Sequence, residues 1–129
     1  MWMAFLGLSL RRYWQDAMGQ EMGYGHSLKL PNLLMKGVCV SSHLPKEFSD
    51  RLFGYLHVPL DSYSIIAVRN CFDGFPAKAE IGPIPANAAM GLIKSPEVYQ
   101  AFQVFMRSLA KKARVPPIAI DILAWDRAH

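Results

Sequence analysis

Val58-Pro59-Leu60-Asp61-Ser62-Tyr63-Ser64-Ile65-Ile66-Ala67-Val68-Arg69-Asn70 has two readings, and they lead to different folds. The apolar run from Tyr63 to Val68 is short, so its pattern alone admits a strand or a helix. Pro59 holds the approach extended. Asp61 then offers a side-chain oxygen where the first turn of a helix leaves its N–H groups unpaired, which favours the helix. Asp61 also has a chemical meaning, because a carboxylate at a helix mouth either caps the helix or faces whatever occupies the cleft in front of it. The cap is the ordinary role, and the two are compatible.

Upstream, Pro45 opens a segment with Phe48, Leu52, Phe53 and Leu56 on one side and Lys46, Glu47, Asp50 and Arg51 elsewhere, which predicts an amphipathic helix. From Leu30 to Ser41, Pro31 suits a first helical turn, while Val38 and Val40 keep a strand open; helix is the favoured reading. Near the start, Trp2, Phe5, Leu6, Ser9 and Tyr13 recur at helical spacing and predict a first helix ending before Gly19, with Gly19, Gly23 and Gly25 breaking the chain after it.

Downstream, Phe72 to Pro85 carries three prolines and two glycines and reads as an irregular connection, with a turn at Asp73-Gly74 and no role assigned to Glu80. Ser95-Pro96-Glu97-Val98 combines an N-cap serine, a first-turn proline and an acidic residue, and Val98, Phe102, Phe105 and Leu109 form the expected buried stripe of the helix it opens. Arg114 and Val115-Pro116-Pro117 end that helix. Ile118 to Trp125 form a last one, with Ile118, Ile122 and Leu123 toward the core. The expected fold is all-α, a compact single-domain bundle of about six helices over residues 1–129.

The 129 residues are 52% hydrophobic, enough for one core, and the 14 Lys and Arg against 10 Asp and Glu leave a charge of +4 that favours anionic partners. Basic residues gather at Arg11-Arg12 and Lys111-Lys112-Ala113-Arg114, too few for a polybasic tail. Cys39 and Cys71 stand apart in apolar stretches without ligand spacing, so they read as buried free thiols and no metal or cofactor is expected. The apolar opening from Met1 to Leu8 is too short to span a bilayer and lacks a basic leader, so no membrane partner and a cytoplasmic location are the expectation.

Asp121 and Trp125 lie four residues apart on a helix and share a side, so a carboxylate and an indole could together wall a pocket for a flat heterocycle. Lys29, read as lying at the mouth of the helix opened by Pro31, is a candidate nucleophile because the positive helix end disfavours its ammonium form. Lys36 follows at nearly two turns. His26, His43, His57 and His129 are scattered, and no zinc-protease, serine-hydrolase or phosphate-loop pattern occurs.

Three blocks in fixed order resemble the archaeal 8-oxoguanine DNA glycosylase family, within the helix-hairpin-helix glycosylases. They are Lys29-Leu30-Pro31-Asn32-Leu33-Leu34-Met35-Lys36, Val58-Pro59-Leu60-Asp61, and Val115-Pro116-Pro117-Ile118-Ala119-Ile120-Asp121-Ile122-Leu123-Ala124-Trp125. The resemblance covers the C-terminal part of such an enzyme. It implies Lys29 as the nucleophile that forms a Schiff base at the sugar C1′, Asp61 as the carboxylate that offsets the developing positive charge, and Asp121 with Trp125 as the grip on the extruded base. DNA is then the expected partner, with Lys36, Lys46 and Arg51 as candidates for its backbone. The alternative is a non-catalytic helical binding module, a homodimer among its forms, that takes a protein partner or a small ligand.

Overall fold

The computed structural model describes residues 2–41, 43–71 and 82–128. Within them run six α-helices: α1 Trp2–Met18, α2 Tyr24–Val40, α3 Lys46–Tyr55, α4 Ser62–Cys71, α5 Pro96–Ala113 and α6 Ala119–Ala128, with a short 3-10 turn Met90–Leu92 before α5. No strand occurs among the described residues, so the all-helical expectation is met there. Ser62 to Cys71 is helical, which resolves the opening ambiguity. The turn expected at Asp73-Gly74, Glu80, the first part of the irregular connection, and the side chains of Trp2 and Cys71 lie outside the described residues.

Helix α2 starts seven residues before Pro31, not at it. Gly23 at its N-cap offers no side-chain bond, and the N–H of Gly25 is instead taken by the carbonyl of Ile93 at 3.0 Å. A partner from beyond the 3-10 turn thus supplies the cap that local sequence lacks. Pro31 sits inside the helix, with no N–H for the carbonyl four residues back. Beside that gap the Asn32 side chain donates to the carbonyl of Leu28 at 2.9 Å. Lys29 accordingly stands in the second turn of α2, and the expectation that it occupies a positive helix mouth is corrected.

The other ends follow local chemistry. Ser95 accepts from the N–H of Val98 and Pro96 begins α5; at the far end Arg114 turns left-handed, φ 57° and ψ 40°, and the prolines after Val115 prevent continuation. α2 packs against α1, α3 and the 3-10 turn, α4 packs on α6, and α5 reaches α6. The main core joins Leu28, Val58, Leu60, Ile65, Val68, Ile93, Tyr99, Phe102 and Met106, while Cys39, Leu56 and Ile118 form a second, smaller one.

Several faces differ from expectation. On α1 the inward residues are Met3 and Gly7, whereas Phe5 and Tyr13 are 70% and 71% exposed and Leu6 is also exposed. α1 comes close to α2 at Gly7: a Cβ there would stand 2.8 Å from Cδ2 of Leu28, so a larger residue would require that buried leucine side chain to shift. On α5 the buried line is Tyr99, Phe102, Gln103, Met106 and Ala110, with Val98, Phe105 and Leu109 at its edge. On α6 Asp121 and Ala124 turn inward, as does Ile118 just before it, and Ile122 and Leu123 turn outward. On α3 Leu52 and Phe53 are half-buried, but Phe48 is exposed.

Candidate functional site

The segment 56–60 runs extended into α4, and its backbone is held from α5. Gln103 accepts from the N–H of Val58 at 3.0 Å and donates to the carbonyl of Val58 at 2.8 Å, so one buried side chain satisfies both polar groups of a buried peptide residue. Leu60 is buried, and Asp61 arrives at the head of α4 with little freedom.

There the Asp61 carboxylate divides its two oxygens. Oδ1 accepts from the N–H of Ser64 at 3.0 Å, while Ser64 Oγ accepts from the N–H of Asp61 at 3.0 Å and donates to the carbonyl of Pro59 at 2.9 Å. This is a reciprocal capping arrangement with serine in the place usually held by glutamate or glutamine. Oδ2 faces Lys29, whose Nζ lies 3.6 Å away.

One surface of α2 presents two cations. Lys29 meets Asp61, and Lys36, two turns on, meets Asp121 at the start of α6, with Nζ 2.7 Å from Oδ2. Asp121 is only 1% exposed, and its Oδ1 has no hydrogen-bond partner among the described residues. Burial raises its pKa above the ordinary carboxylate value, the hydrogen bond and charge of Lys36 lower it, the charge of Asp61 raises it and that of Lys29 lowers it. The four side chains therefore form one electrostatic cluster of two cations and two anions, held by three helices. A buried acceptor without a partner is uncommon and leaves a place for a donor.

Trp125 lies at a different depth from Asp121. Trp125 is 43% exposed, and its ring rests against Tyr63, centroids 4.9 Å apart at 47°. Since Tyr63 stands two residues after Asp61, the α4–α6 contact places an aromatic pair next to the aspartate that heads α4. Spacing anticipated Asp121 and Trp125 on one side of a helix, but Tyr63 was missed, as were Gln103 and the pairing of Lys36 with Asp121. The seven-residue interval from Lys29 to Lys36 was the visible signal for that pairing.

Of the residues expected at a nucleic-acid backbone, Lys36 is engaged inside the cluster. Lys46 and Arg51 are exposed on α3, where Lys46 pairs with Asp50 one turn away at 2.6 Å. Cys39 is a buried free thiol, and burial pushes its pKa up. Among the described residues no three His, Cys, Asp or Glu side chains come together as metal ligands, and no helix is long and apolar enough to cross a membrane. No protein-family model, curated protein or solved structure matches the chain.

Proposed function

We propose that this chain is a DNA base-excision glycosylase with lyase activity, acting on an oxidised purine such as 8-oxoguanine through a Schiff base on Lys29. One observation carries the reading: Lys29 and Asp61 meet at 3.6 Å, and the adjoining Lys36–Asp121 pair keeps a buried acceptor, Asp121 Oδ1, without a partner among the described residues. The order of these residues along the chain is the order that the family resemblance requires.

In this reaction the Lys29 amine, freed of its proton, attacks C1′ of the damaged nucleotide. The bond from C1′ to the base nitrogen breaks, its electron pair leaves with the base, and the base takes up a proton. Asp61 Oδ2 offsets the positive charge that develops on the sugar, held in place because Oδ1 is bound to the Ser64 N–H. The attached amine loses a proton, the ring oxygen leaves C1′ and is protonated, and a C1′=Nζ iminium remains. Loss of a C2′ proton then expels the 3′ phosphate. Asp121 Oδ1 accepts from an N–H of the extruded purine while Lys36 holds its other oxygen, and the exposed indole of Trp125 offers a face for stacking.

The test is borohydride trapping with duplex and single-stranded DNA containing 8-oxoguanine. A covalent protein–DNA adduct is expected from the wild type and none from Lys29→Gln; a wild type that gives no adduct overturns the Schiff-base reading. An Asp61→Asn protein with full turnover removes Asp61 from the mechanism.

A second reading, a non-catalytic module that docks a protein partner or another copy of itself, draws on the exposed Phe5, Tyr13, Leu34 and Val40 of α1 and α2. It predicts no adduct, together with a concentration-dependent rise in mass by light scattering.

A further inference from the structure

A second cleft shares no lining residue with the Lys29–Asp61–Lys36–Asp121 cluster. It is an open cleft of about 410 Å³ where the first turns of α1, α2 and α5 meet His57 of the extended segment, with Tyr24, His57, Glu97, Tyr99 and Gln100 on its walls. That volume suits a small-molecule site, and the polar groups converge on it from three separate stretches of chain.

Its hydrogen-bond chain has a definite direction. The Asn32 amide donates to the carbonyl of Leu28 at 2.9 Å and to the Tyr99 oxygen at 3.0 Å, which uses both of its protons. The Tyr99 hydroxyl, 2.8 Å from His57 Nδ1, then gives its own proton to that nitrogen; the reverse direction would strand a phenolic proton in the core. Nδ1 is therefore the acceptor and Nε2 carries the ring proton. Burial, followed by the charge of Arg107, pushes the His57 pKa down to about 4, so the imidazole is a neutral donor at physiological pH. Glu97 is the complementary acceptor at the rim: the Ser95 hydroxyl, then its own backbone N–H, hold its pKa below the ordinary carboxylate value. Tyr24 and Tyr99, ring centroids 6.3 Å apart at 73°, supply an aromatic wall.

We propose that this cleft binds a planar heterocycle carrying a carbonyl oxygen beside a ring N–H, the lactam edge of a purine or pyrimidine nucleoside. His57 Nε2–H donates to the carbonyl, the Glu97 carboxylate accepts from the N–H, and Tyr24, the less buried of the two tyrosines, takes the flat face. The same groups select against other ligands. With a neutral imidazole and a carboxylate among its lining groups the cleft gives no attraction to a phosphate, and an N–H donor in the wall opposes an ammonium ion. The proposal is independent of Lys29 chemistry and stands or falls separately from it.

The experiment is a ¹H–¹⁵N NMR titration of the full chain with guanosine and with uridine, using choline and inorganic phosphate as cation and anion probes. Saturable shifts at the Tyr24, His57 and Gln100 amides with at least one nucleoside, and none with the two probes, are expected. Glu97→Gln, an exposed change that leaves the core intact, weakens that binding by about fivefold or more, on the scale of one hydrogen bond to a charged group, and His57→Phe abolishes it. Absence of nucleoside shifts, equal shifts from choline or phosphate, shifts centred on Lys29 and Asp61, or unchanged affinity in Glu97→Gln each overturns the proposal.

Discussion

A carboxylate that caps a helix with one oxygen and meets a lysine with the other can be taken apart by substitution. Asparagine keeps the capping oxygen of Asp61 and loses the charge, whereas alanine loses both. Asp61→Asn is expected to unfold in urea within about 0.5 kcal/mol of the wild type, while Asp61→Ala loses about 1–2 kcal/mol, the usual worth of an N-cap; the trapped adduct is expected to disappear in both. Lys36 is a second separable case, because it compensates a carboxylate that is almost wholly buried. Lys36→Met is expected to cost about 3 kcal/mol at pH 7, since it strands the Asp121 charge. The pH dependence follows from the raised pKa of Asp121 in the folded state. Its stability contribution is complete below the ordinary aspartate pKa of 3.8 and is lost as pH rises through the folded value, and removing Lys36 raises that value further. The deficit of Lys36→Met should therefore shrink as urea midpoints are measured from pH 7 down to pH 4. Asp61 was legible as a cap because capping is local, but Lys29 was misplaced because Pro31 looked like a helix start. What opened the helix seven residues earlier was the Ile93 carbonyl, which no neighbouring residue announces.

Helix existence was readable here, and so were most helix ends apart from the start of α2; the buried face of each helix was less so. The first half of α1 is apolar nearly all round, with Met3, Phe5, Leu6, Leu8 and Leu10, so periodicity there does not single out one direction. The face turned to α2 is the one bearing Met3 and Gly7, where the two helices approach closely. α6 likewise turns Asp121 inward in preference to Ile122 and Leu123, since Lys36 waits there to pair with it. A hydrophobic count cannot anticipate a buried carboxylate whose partner lies on another helix. Gly25 provides the test at this scale. A Cβ on it would lie 2.7 Å from the carbonyl oxygen of Met90, a backbone atom that cannot swing aside, and 3.0 Å from Cβ of Ile93. Glycine to alanine in a helix ordinarily gains about 1 kcal/mol, yet Gly25→Ala is expected to lose about 1–3 kcal/mol by overpacking. Thermal unfolding of the two proteins side by side decides the sign.

Across the whole molecule, α5 acts as the frame on which the candidate site is hung. Its buried line holds Val58 through Gln103 and His57 through Tyr99, and so fixes the extended approach to Asp61. Gln103→Leu keeps the bulk but leaves both polar groups of Val58 unpaired in the core, a loss of about 3 kcal/mol. Hydrogen exchange at the Val58 amide should quicken well beyond the global change, and equal protection in wild type and variant would show that the clamp is dispensable. The sequence by itself determined the helical class, the cap at Asp61, the start at Ser95-Pro96 and the stop at Val115-Pro116-Pro117. Each of these depends on side chains meeting backbone within about one turn. The tertiary structure alone decided that Lys29 meets Asp61, that Lys36 meets Asp121 across 85 residues of chain, and that Trp125 rests on Tyr63. Those pairings depend on which helix faces which, and that is set by a close approach at Gly7, a borrowed carbonyl at Gly25 and a peptide clamped by Gln103, all of them contacts between segments remote in sequence.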